Sequence, residues 1–84
     1  MKPLTLEQVF ERIDKSLFDE VKLHNKGTKH AFIRFTDFVG GVKHDMELLR
    51  NGETFFDKEE YLPSEPQLLE IQKCQRELLG GEEE

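Results

Sequence analysis

The chain has 84 residues, enough for one domain at most. A domain of that size buries only about 60% of its unfolded surface, so its core is small and its stability margin thin. With 18 acids against 12 bases the net charge is −6, which disfavours direct binding to nucleic acid or to anionic lipid.

Leu6, Val9, Phe10, Ile13 and Leu17 recur at steps of three and four, predicting a helix from Thr5 to about Phe18. Thr5 and Gln8 have the spacing of a capping box. The opening Met-Lys-Pro-Leu-Thr-Leu-Glu runs straight into this charged segment and is read as no signal peptide.

From about Asp19 the period becomes two. Val21 and Leu23 alternate with Glu20, Lys22 and His24, predicting a first strand. Asn25-Lys26-Gly27-Thr28 reads as a turn. His30 to Thr36 reads as a second strand, with Ala31, Ile33 and Phe35 on one face and Phe32, Arg34 and Thr36 on the other. Gly40-Gly41 is expected to form a bend or bulge. Val42 to Leu49 is a third strand, carrying Val42, His44, Met46 and Leu48 on one face and Lys43, Asp45, Glu47 and Leu49 on the opposite one.

Asn51-Gly52 is a strong hairpin signal and predicts a two-residue type I′ turn. That turn pairs Arg50 with Glu53, Leu49 with Thr54, Leu48 with Phe55 and Glu47 with Phe56. The fourth strand must be short, because Asp57-Lys58-Glu59-Glu60 follows at once. Ser64 and Gln67 form a second capping box, Pro66 is tolerated in a first helical turn, and Gly80 is the expected stop of a last helix carrying Leu68, Ile71, Cys74 or Gln75, and Leu78.

The predicted fold is α+β: a helix, an antiparallel meander of three or four strands, and a helix, as a single sheet with two helices. Residues 1–80 form one domain and 81–84 a disordered acidic tail. There is no internal repeat, and no apolar run is long enough to span a membrane.

Catalytic and metal chemistry find little support. His24 and His30 flank a turn, but a zinc site needs three or four suitable ligands, and His44 and Cys74 lie on other elements. His44 and Asp45 are adjacent in a strand and point to opposite faces, so His44 is expected as a hydrogen-bonded residue at the core edge. Gly40-Gly41 lacks the lysine and helix of a phosphate loop. The expectation is no enzyme, no catalytic residues, no metal and no cofactor. The single cysteine suits a reducing, cytoplasmic setting.

The element order resembles that of double-stranded-RNA-binding domains, in order alone. Those domains need a basic start to the last helix, and here Ser64-Glu65-Pro66-Gln67 reverses the charge, which excludes that function.

What is left is a non-enzymatic protein-binding domain: a regulator, inhibitor or assembly factor. The alternatives are an acidic nucleic-acid mimic and a small histidine-based metal protein or enzyme. A protein partner is expected, and a homodimer is left open. If both helices cover one sheet face, Phe32, Leu49 and Phe56 form an exposed apolar patch on the other. The loop Asp57, Glu59, Glu60 and Tyr61 sets an aromatic among acids and is the second expected contact region.

Overall fold

The computed structural model describes residues 2–57 and 61–80. It has a helix at each end of a four-stranded antiparallel sheet in the order β1-β2-β3-β4. The elements are α1 (Leu6–Arg12), β1 (Glu20–His24), β2 (Phe32–Val39), β3 (Val42–Leu49), β4 (Thr54–Phe56) and α2 (Glu65–Leu79). The expected α+β architecture is therefore present.

Both capping boxes form. The Thr5 hydroxyl accepts from the Gln8 amide at 3.2 Å, and the Gln8 side chain accepts from the Thr5 amide at 2.9 Å. Ser64 and Gln67 repeat the pattern on α2, which ends at Gly80 in the left-handed region. The first helix is shorter than its apolar period predicts. Ile13 is extended, and Lys15–Leu17 forms a separate 3-10 turn. The cause is local. The Asp14 carboxylate accepts from the amide and hydroxyl of Ser16, which gives the backbone an alternative to continuing the helix. These bonds, the hydroxyl's first, hold the Asp14 carboxyl below the usual carboxylate range.

The glycine turns exchange the roles predicted for them. Gly40 and Gly41, both at positive φ, make the two-residue hairpin turn, and Val39 pairs directly with Val42. β2 and β3 thus run as one unbroken ribbon of eight residues a side, with no bulge at the glycines.

At Asn51-Gly52 the loop holds three residues instead of two. The Gly52 amide donates to the Leu49 carbonyl, and the Leu49 amide donates to Glu53. This is a type I turn closed by a glycine at φ 90°. The Asn51 side chain accepts from the Glu53 amide, and Gln75 of α2 donates to the Gly52 carbonyl at 2.9 Å.

The extra residue slips β4 by one. Leu48 pairs with Thr54, Glu47 with Phe55 and Met46 with Phe56. Since a one-residue slip reverses every side chain, Phe55 goes to the outer face and Phe56 to the helix side.

Both helices pack on one face of the sheet. A single core joins Leu6, Val9 and Ile13, from α1 and its C-cap, with Ile33, Phe35, Met46 and Leu48 of the sheet and Ile71, Cys74 and Leu78 of α2. Phe18 closes it beside Phe35, with ring centroids 4.7 Å apart. On α2 the buried stripe starts at Gln67, where an apolar Leu68 was expected; Leu68 faces outward. Among the described residues no helix is long and apolar enough to cross a membrane.

Gly41 and Gly52 test these turns. A Cβ at Gly41 meets open space, and one at Gly52 meets Leu79 at an ordinary 3.5 Å, so any cost comes from positive φ and not from crowding. Gly41→Ala and Gly52→Ala are each expected to cost about 1–2 kcal/mol in urea unfolding.

Candidate functional site: the open sheet face and the polar cluster behind it

Alternation along the strands dictates what the helix-free face presents. Its rows follow from the register: His24, Phe32 and Leu49; then Lys22, Arg34, Glu47 and Phe55; then Glu20, Thr36 and Asp45; then Phe38 and Lys43. Phe32 is half-buried between neighbours. The His24 ring stacks on it at 5.0 Å and 13°, and the Arg34 guanidinium lies 5.3 Å from its centre. Arg34 is held in turn by Glu47 at 2.9 Å. Thr36 donates to Asp45 at 2.8 Å.

Phe32 and Leu49 thus lie on the outer face as expected, directly opposite each other. Phe56 does not, because of the slipped register. Phe55 takes its place, diagonal to Leu49 and 53% exposed. Asp57 is exposed beside this edge, where its amide donates to the Asp45 carbonyl. Glu59 and Glu60 lie outside the described residues. The tail expected over 81–84 lies outside them as well. The end of the β2–β3 ribbon also shows Phe38, Val39 and Val42 to solvent, beyond the reach of β1 and β4. The sequence signal for that end was the direct turn at Gly40-Gly41, which a bulge reading hides.

Tyr61 is the largest departure in this region. It was expected on an acidic contact loop, but only 7% of it is exposed. Its hydroxyl donates to Asp37 at 2.5 Å, and its ring stacks on His44 at 4.5 Å and 15°. Asp37 is itself buried near the end of β2. Its Oδ2 also accepts from the Gln67 side-chain amide at 2.6 Å, and its Oδ1 accepts from the Asp19 backbone at 3.2 Å. Gln67 donates further to the Leu17 carbonyl at 2.8 Å. His44 is at the core edge, as expected, but its Nδ1 is buried without a hydrogen-bond partner among the described residues.

This cluster gathers an acid, a phenol and an imidazole, yet its geometry is that of a clamp. The carboxylate is filled by three donors from three segments. Burial, reinforced by the bond to Asp37, raises the Tyr61 phenol well above its ordinary range and keeps it protonated.

The histidines do not converge. His24 is engaged with Phe32, His30 is in the exposed stretch of residues 25–30, and His44 is across the sheet. Among the described residues no group of three or more His, Cys, Asp or Glu side chains is arranged to hold a metal. Cys74 is fully buried in the core. Burial first, then the charges of Glu70 and Glu77, push its thiol up to about 12.

Two outcomes are expected from this arrangement. Asp37→Ala strands three donors and should cost at least about 3 kcal/mol in urea unfolding. Alkaline pH should destabilise the protein through Cys74 and Tyr61. Both stay protonated in the fold and ionise first when unfolded, the thiol from about 9.0 and the phenol from about 10.0. Stability is then complete below pH 9 and falls as pH rises towards 12, by up to about 1.4 kcal/mol per pH unit for each group. Unfolding titrations from pH 8 to 12 should show the earlier fall removed by Cys74→Ala and the later one by Tyr61→Phe.

No family model matches this chain, and comparison with curated proteins and with solved structures finds no match.

Proposed function

We propose that the protein is a small non-enzymatic protein-binding domain, in a cytoplasmic setting, that meets its partner through the helix-free face of the sheet. The observation that carries this reading is the placement of Phe32, Leu49 and Phe55 on a face that neither helix covers. Phe55 is more than half exposed at an edge, while Phe32 is half-buried and in contact with His24 and Arg34. A rigid aromatic next to a free one, rimmed by ion pairs, suits a protein contact, since little side-chain freedom is lost on docking.

Two further features favour binding over catalysis. The Asp37 carboxylate, in the cluster that joins acid, phenol and imidazole, is filled by three structural donors. The open face also carries Lys22, Arg34 and Lys43 among Glu20, Asp45 and Glu47, in ion pairs of 2.9 to 3.8 Å. Interleaved charges of both signs make a poor copy of a phosphate backbone, so nucleic-acid mimicry is the weaker reading.

Affinity capture with mass spectrometry, run in parallel on wild type and variants, tests the proposal. Phe55→Glu adds a charge at an exposed position and should leave the fold intact. It is expected to lower recovery of a specific partner by about tenfold or more, equivalent to about 1.4 kcal/mol. Leu69→Glu, on the exposed side of α2, should leave recovery unchanged. Equal capture by wild type and Phe55→Glu would sink the reading.

A further inference from the structure

Five of the lysines and arginines on this acidic chain form ion pairs among the described residues. Arg12, Lys22, Arg34, Lys43 and Lys73 each lie within 4 Å of a carboxylate. Among the described residues Lys2, Lys26, Lys29, Arg50 and Arg76 have no side-chain hydrogen-bond or ion-pair partner, and of these Lys29 and Arg50 line the same two grooves. Lys29 is in the loop between β1 and β2, and Arg50 in the turn between β3 and β4. The pairing of Phe32 with Leu49 brings these two loops to the same end of the sheet.

Lys29, Ala31 and Arg50 line two adjoining open grooves of about 530 and 490 Å³. Leu4, Leu6 and Leu78 supply apolar wall to the first groove, and Leu49 to the second. One acid, Glu7, lines the first, while His30 lines the second. The two cations therefore stand where the grooves meet, with apolar carbon on either side.

We infer that this loop end is a binding site for an extended acidic segment of a partner protein, with carboxylates held by Lys29 and Arg50 and apolar neighbours seated against Leu6, Leu78 and Leu49. The fit is one of charge and of shape. A carboxylate at the junction meets two unpaired cations, and a peptide continuing both ways fills grooves that a lone small anion leaves empty. A nucleic acid suits the site poorly, because its charge is continuous along the backbone and most of it would face a protein of charge −6, whereas a peptide need place only one or two carboxylates, at the two cations. Leu49 belongs both to the groove and to the open face, so one partner can reach both. This extends the protein-binding reading to a second contact point, and a peptide titration reads the groove alone, so either can fail without the other.

The test is to titrate ¹⁵N-labelled protein with a peptide of about eight residues alternating glutamate and leucine, followed by amide shifts. The expected result is saturable movement of Gly27 to Ala31 and Leu49 to Asn51. The affinity should weaken several-fold between about 50 and about 200 mM salt, as screening requires. The double change Lys29→Glu with Arg50→Glu should raise Kd at least about tenfold, and Lys29→Gln with Arg50→Gln should raise it less. The control Lys73→Glu should leave Kd unchanged within about twofold. Four results would each overturn the inference: shifts centred elsewhere, an unchanged Kd in the charge-reversed variant, equally tight saturation by inorganic phosphate, or the same shifts produced by protein concentration alone, which would assign the groove to a small anion or to a second copy.

Discussion

A carboxylate taken below the surface of a domain this small must find donors or destabilise it by several kcal/mol. Asp37 finds three, and each comes from a different part of the chain: the backbone entering β1, the phenol ahead of α2, and a side chain in the first turn of α2. That convergence fixes where Tyr61 and the start of α2 sit. Tyr61 is drawn under the β2–β3 ribbon and stacks on His44, and Gln67 turns inward with it. The first turn of α2 is thereby seated on the face that already carries α1. The open opposite face is a consequence of that seating, because the two helices available to cover the sheet are both on one side.

The asymmetry shapes the rest of the molecule. On the helix side an apolar core, with the Asp37 cluster at its edge, is closed down to a cysteine with no access to solvent. On the open side, half-exposed rings and aliphatics are fixed by stacking and ion pairs in place of a covering layer. His24, Phe32, Arg34 and Glu47 form one connected run across β1, β2 and β3. Such a run holds side-chain positions without a core behind them. The face thus combines exposure with side chains that contact one another, which lowers the ordering cost of docking. The free cations at the loop end continue that surface around the edge at Leu49.

Much of the fold was legible in single residues. Thr5 with Gln8 and Ser64 with Gln67 announced both helix starts, and Gly80 announced the end of the second, because capping is settled within one turn of chain. Period-two alternation located β1 and β3 and assigned their faces. The site was half legible. Phe32 and Leu49 followed from alternation alone. Phe55 did not, because its face depends on whether the loop at Asn51 holds two residues or three, and local preference admits both.

The sequence by itself determined the elements, their order and the inner and outer faces of β1 to β3, since these rest on periods and caps that neighbouring residues decide. Tertiary structure alone decided three things. Contact of α2 with Gly52, through Gln75 and Leu79, accompanies the three-residue loop and the face of Phe55 that follows from it. The pull of Asp37 placed Tyr61 and Gln67 inside, against their polarity and their acidic surroundings. The pairing of Phe32 with Leu49 brought Lys29 and Arg50 together from loops far apart in the chain. In each case the partners are distant in sequence, and the free energy of their meeting has no local signature to read.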